Sequence, residues 1–117
     1  MDQSILDTIK KLRGIAPENT DFDVQLIVYI NTAFALLNTL GIGPNDGFSI
    51  SDNTVTWEDY TEDSRAMDPV QSYINIKVGL LFDPPTSSSA IDASNGLLDE
   101  IEWRLYQTVG GNDVSGG

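Results

Sequence analysis

The chain has 117 residues, with 6 Lys and Arg, 18 Asp and Glu, no His and no Cys, for a formal net charge of -12. The two missing residue types exclude cysteine nucleophiles, Cys/His zinc sites, Ser-His-Asp triads and histidine acid–base chemistry. The excess of carboxylates argues against a basic face for nucleic acid or for an anionic membrane. The length fits a single domain that needs no disulfide or metal, and 40% hydrophobic residues supply a core.

No secretory signal is expected, because Met1-Asp2-Gln3-Ser4 is acidic where such a signal needs positive charge. The longest apolar stretch, Leu26 to Leu40, is broken by Asn31, Thr32 and Asn38 and is not read as a membrane span. A first short helix is predicted over Ser4–Arg13. Ser4 and Asp7 have capping spacing, and Ile5, Ile9 and Leu12 share one side. Lys10, Lys11 and Arg13 fall in its last turn, and Gly14 stops it.

A second helix is predicted over Phe22–Leu40, with Thr20 and Asp23 at capping spacing. Phe22, Leu26, Ile30, Ala33, Phe34, Leu37 and Leu40 form its stripe, widened by Ile27 and Leu36. That breadth predicts a central position. Gly41 ends the helix and Gly43-Pro44 prevents a restart.

Gly41 to Asp68 reads as a long, polar, exposed and mobile connection. Phe48-Ser49-Ile50 alternates like a short strand, and Thr56 with Asp59 can cap one helical turn under Trp57 and Tyr60. A third helix is predicted from Asp68-Pro69, with Val70, Tyr73, Ile74, Lys77, Val78 and Leu81 inward and Pro84-Pro85 as its stop. A fourth begins within Thr86–Ser89, with Ser89 and Asp92 at capping spacing. Ile91, Ser94, Leu98, Ile101 and Leu105 face inward, Trp103 and Tyr106 stand off that line, and Gly96 weakens the middle. The expected fold is therefore all-α, a four-helix subunit with a long loop between helices 2 and 3. Residues 1–109 form the domain and 110–117 a Gly-rich tail.

Few patterns carry chemistry. Gly41-Ile42-Gly43-Pro44-Asn45-Asp46-Gly47 follows a helix and has the wrong spacing for a dinucleotide loop, so it reads as a helix stop and turn. Asp52, Thr54, Thr56 and Asp63 have calcium-loop offsets, but Trp57 stands where the turn glycine belongs and the final Glu is missing. Between Asp46 and Asp68 seven carboxylates stand against Arg65 alone, half of the net charge. Paired carboxylates can hydrolyse glycosides, but only as a rigid, partly buried pair. Trp57, Tyr60, Trp103 and Tyr106 are core or rim aromatics, or anchors for another protein.

Ser4-Ile5-Leu6-Asp7-Thr8-Ile9-Lys10-Lys11-Leu12 opens the series. Asp21-Phe22-Asp23 leads into the apolar helix that Leu40-Gly41-Ile42-Gly43 closes. Trp57, Tyr73-Ile74, Lys77-Val78-Gly79-Leu80-Leu81-Phe82-Asp83-Pro84-Pro85-Thr86-Ser87 and Glu102-Trp103-Arg104-Leu105 follow. This order resembles the head–tail connector proteins of tailed bacteriophages, also called adaptor or head-completion proteins.

The resemblance implies a ring of all-helical subunits, usually twelve, docked on the portal. Such a ring extends the DNA channel and gives the next head–tail or tail-completion protein a platform. It has no catalytic residues and no cofactor, and it belongs to the virion's head–tail interface after assembly in the host cytoplasm. DNA passes without specific binding, and no membrane is involved. The resemblance also directs the loop toward the channel and the last helix with its tail toward the portal. Transferred to this chain, the channel-facing residues are Asp46, Asp52, Glu58, Asp59, Glu62 and Asp63. The portal-docking residues are Trp103, Tyr106, Val109 and Val114.

Charge balance adds a third set. Lys10, Lys11 and Arg13 hold half of the positive charge and are expected to meet acids of the adjacent subunit. The rival readings are a small acidic DNA mimic that inhibits a nucleic-acid-binding partner, and an enzyme with a carboxylate-only or metal site. Against the mimic, the acids gather in one connection instead of lining helices at regular spacing.

Overall fold

The computed structural model describes residues 3–108, and among them the chain forms five α-helices and no β-strand. They are α1 (Ile5–Leu12), α2 (Asp23–Thr39), α3 (Trp57–Tyr60), α4 (Ser64–Phe82) and α5 (Ser88–Thr108). The all-α expectation holds. The count rises from four to five because the turn foreseen under Trp57 and Tyr60 is a helix in its own right.

Local capping explains most of the boundaries. Ser4 Oγ accepts from the Asp7 N–H at 3.1 Å and starts α1. Thr56 and Asp59 form a full capping box around α3: Asp59 Oδ2 accepts from the Thr56 N–H at 2.9 Å, and Thr56 Oγ1 accepts from the Asp59 N–H at 3.3 Å. Ser87, rather than Ser89, caps α5 by accepting from the Ala90 N–H. Thr20 does not cap α2, whose N-cap residue Phe22 makes no side-chain cap bond.

The third predicted helix begins earlier than expected. α4 starts at Ser64, capped by Asp63 Oδ1 on the Arg65 N–H at 2.9 Å, not at Asp68-Pro69. Pro69 is the helix's sixth residue. A turn closed from outside by the Asp63 cap and the Ala66-to-Asp63 backbone bond precedes it, so a proline near a helix start need not mark its first residue.

The helices alternate in direction. Lys10 reaches Asp23 at one end of the molecule, where Phe22 also packs edge-on against Phe82 with centroids 5.3 Å apart. At the other end Ser4 bridges Thr56, and Phe34 packs on Tyr60 and Phe48. α4, not α2, is the centre: it packs on both α2 and α5 and touches α1. α2 buries Leu26, Ile30, Ala33, Phe34 and Leu37 as the stripe predicts, but its far side stays in solvent, with Val24 78% and Val28 56% exposed. Leu12 is also exposed. The buried residues of α1 are Ile5, Leu6, Ile9 and Lys10, and this set turns Leu12 outward.

The connection after α2 is not a solvated loop. Ile42, Ile50, Trp57 and Tyr60 are buried members of the core. Phe48-Ser49-Ile50 forms no strand. Instead, the Asn31 side chain serves as its neighbour, accepting from the Ile50 N–H at 2.7 Å and donating to the Ile50 carbonyl at 3.0 Å. At the far end of the connection, Ile5 donates to the Val55 carbonyl and Trp57 to the Gln3 carbonyl, tying it to the start of α1.

Candidate functional site

Six carboxylates were expected on one surface, and the folded connection divides them by role. Asp46, Glu58 and Glu62 are exposed and make no hydrogen bond or ion pair among the described residues. Asp52, Asp59 and Asp63 turn toward their own backbone. Asp52 Oδ1 accepts from the Thr54 N–H at 2.9 Å and the Thr54 hydroxyl at 2.6 Å, and those bonds hold its carboxyl below the usual carboxylate range. Asp63 binds the Arg65 guanidinium at 2.9 Å as well as capping α4, and the Arg65 bonds keep its carboxyl low. Local capping thus uses half of the acids as structural acceptors, although all six still carry negative charge.

The cations divide as well. Lys10 is 2% exposed, its Nζ donating to the Pro17 carbonyl at 3.0 Å and lying 2.9 Å from Asp23 Oδ1. The Asp23 contact is ionic but poorly directed, so Asp23 Oδ1 has no aligned hydrogen bond. Lys10, expected at the contact with an adjacent subunit, is instead a core residue bound within its own chain. Lys11 is exposed. Arg13 is half-buried with its guanidinium laid over Gly79, where a Cβ would collide with it, and its Nε has no partner among the described residues.

Trp103 is 64% and Tyr106 50% exposed, while Leu98, Ile101 and Leu105 of the same helix are buried. At i and i+3 the two aromatics share one side of α5. The Tyr73 hydroxyl donates to Glu102 Oε2 at 2.9 Å, fixing the second half of α5 against the middle of α4, so the residues after Glu102 run toward the start of α4. Trp103 and Tyr106 therefore sit toward the end that carries the acidic connection. Val109 and Val114, and the tail expected over 110–117, lie outside the described residues.

Two features escaped the sequence reading. Asn75 stands between Ile74 and Ile76 with a buried Oδ1 that has no partner among the described residues, and Gly79 interrupts the same helix. A polar residue inside an apolar run and a glycine inside a helix are the signals that mark such a place. Among the described residues there is no cluster of three or more metal-ligating side chains, and no helix is long and apolar enough to cross a membrane.

The model of one protein family, described as phage connector protein, matches residues 5–112. No curated protein and no solved structure matches the chain.

Proposed function

The chain belongs to the phage connector protein family, and from that premise we propose that it forms a ring at the head–tail interface of a virion. The ring docks on the portal, extends the DNA channel and offers a platform to the next tail component. The family match over residues 5–112 carries this reading.

In this reading the acidic connection lines the channel. Asp46, Glu58 and Glu62 point free charge at the duplex, with Asp52, Asp59 and Asp63 behind them. Like charge keeps phosphate off the wall, over a screening distance of about 8 Å at physiological salt. Trp103 and Tyr106 are the portal anchors, since large exposed aromatics supply much of the binding energy at protein interfaces. Lys11 and Arg13 meet acids of the adjacent copy.

Electron microscopy of the chain alone and with its portal tests the assembly: rings support the reading, and a monomer that ignores the portal rejects it. Replacing Asp46, Glu58 and Glu62 by Lys leaves the fold intact, because none of the three bonds to its own chain. The ring then retains DNA with an affinity that falls steeply as salt rises. Charge-inverted rings that still ignore DNA would place those acids away from the lumen. Trp103→Ala with Tyr106→Ala abolishes portal docking while the subunit stays folded, and undiminished docking would move the anchor elsewhere.

A further inference from the structure

The outer side of α4 is the floor of a trough. Two cavities form it. One of about 440 Å³ lies against Pro69, Ser72, Asn75, Ile76, Leu97 and Ile101. The other, about 290 Å³, is lined by Arg13, Asn75, Ile76, Gly79, Asp83 and Pro85, among others. Asn75 and Ile76 line both, so the two adjoin along the helix. From Pro69 to Asp83 the floor runs about 21 Å of helix, the length of roughly six residues of extended chain.

The trough holds two buried polar atoms without partners among the described residues, the acceptor Asn75 Oδ1 and the donor Arg13 Nε. Buried polar atoms are almost always paired, because an unmade bond costs stability. One N–H and one C=O are what a peptide group offers. The chain already uses an asparagine this way, where the Asn31 amide takes both main-chain groups of Ile50. Pro69 and Ile76 of the floor and Leu97 and Ile101 of the α5 wall are apolar and suit alternate side chains of an extended segment.

We propose that this trough seats an extended segment of a second copy of the chain, with Asn75 Oδ1 accepting a main-chain N–H and Arg13 Nε donating to a main-chain carbonyl. The outer edge of the Arg13 guanidinium takes a carboxylate of the same neighbour. Charge selects the second copy. Lys11, Arg13 and Lys77 form no ion pair among the described residues, whereas Arg65, Arg104 and Lys10 do. Apart from the channel-facing set, the same chain exposes Glu18 and Asp21, which form no ion pair among the described residues and do not line the trough. It is complementary to itself at two different places, which is the requirement for a contact that repeats around an axis. The assignment rests on the ring reading above.

Sedimentation of the full chain over a concentration series, alone and with portal rings, tests it with two variants. Asn75→Leu keeps the volume and removes the orphan acceptor. The monomer melts at the same or a higher temperature, and association between copies weakens at least about tenfold. Gly79→Ala puts a methyl group where the Arg13 guanidinium lies, keeps the helix, and weakens association in the same direction; it decides the matter should Asn75→Leu fail to fold. Wild-type protein that associates together with variants that associate equally well overturns the trough assignment and leaves the ring reading standing. Variants that associate normally but no longer bind the portal give the trough to the portal and also overturn it. Wild-type protein that never associates, with or without the portal, ends the ring reading and the trough assignment together.

Discussion

The indole N–H of Trp57 donates to the hydroxyl of Thr8 at 3.0 Å, across 49 positions of sequence. Thr8 in turn donates to the Ser4 carbonyl at 2.7 Å, so one hydroxyl serves both the helix start and the buried tryptophan. With the backbone bonds from Ile5 to Val55 and from Trp57 to Gln3, it fastens the acidic connection to the first helix.

Thr8→Val leaves that indole N–H buried and unpaired, because Trp57 is 1% exposed. The expected cost is about 1–3 kcal/mol, read as a lower urea midpoint with an unchanged slope. Trp57→Phe opens a cavity in either background, but it costs less in the Thr8→Val background than in wild type, because there is then no bond left to lose. Equal costs in the two backgrounds would show that the hydroxyl is not the fastening.

Lys10→Met removes a buried cation and leaves the Pro17 carbonyl and Asp23 without it. Breaking one half of a buried pair costs about 3–5 kcal/mol, and the quarter exposure of Asp23 reduces this to about 2–3. Lys11→Met, on the exposed side of the same helix, costs less than about 0.5 kcal/mol. Equal thermal shifts for the two would mean that Lys10 is not held in the core.

Gly43 has φ +94°, and a Cβ there would stand 2.7 Å from the Tyr60 ring. Gly43→Ala therefore combines left-handed strain with a collision, for an expected loss of about 1–3 kcal/mol. Gly47 also has positive φ but open space around it, so Gly47→Ala loses only the backbone part. Equal losses at the two sites would deny the Tyr60 contact.

The two buried tyrosines respond oppositely to loss of the hydroxyl. Tyr60 OH is buried without a partner among the described residues, so Tyr60→Phe is neutral or stabilises by up to about 1 kcal/mol. Tyr73→Phe loses the bond to Glu102 and costs about 1–3 kcal/mol. Burial pushes both phenols above the ordinary tyrosine value, with the Glu102 bond adding to it at Tyr73. The folded state thus keeps protons that the unfolded chain releases above about pH 10. That stability is complete below pH 10 and drains away as pH rises beyond it. Denaturant midpoints taken between about pH 9 and 12 fall more gently for Tyr60→Phe than for wild type. Parallel curves would mean that Tyr60 titrates freely.

Features encoded within a few residues were readable in the sequence. Ser4 with Asp7 and Thr56 with Asp59 are caps at the predicted spacing, and the middle of the α2 stripe, from Leu26 to Leu37, is buried as its period requires, while Phe22 and Leu36 of the predicted set stay exposed. Trp103 and Tyr106 were legible as exposed because they fall off the stripe of Leu98, Ile101 and Leu105. What failed depends on groups far apart in sequence. Lys10 reads as a solvated helix end until Asp23 and Pro17 close over it. α2 reads as the centre because breadth of stripe says nothing of which helix has neighbours on two sides. The six acids read alike because charge is visible in sequence, whereas the choice between facing water and capping a turn is made by the local backbone.

Asn38 donates to the Pro44 carbonyl at 3.0 Å, and Asn31 grips Ile50 from the same helix. The two asparagines fence a short turn closed by the Gly47-to-Pro44 bond, with Asn45 and Asp46 at its exposed tip. Phe48, between the fences, is held against Phe34 and Tyr60, whereas the Asn45-Asp46 tip stands clear of that aromatic packing. Related chains are thus free to lengthen, recharge or exchange that tip to suit different neighbours without renegotiating the core. An insertion after Asn45 would lengthen that exposed tip and leave the melting temperature of the subunit nearly unchanged.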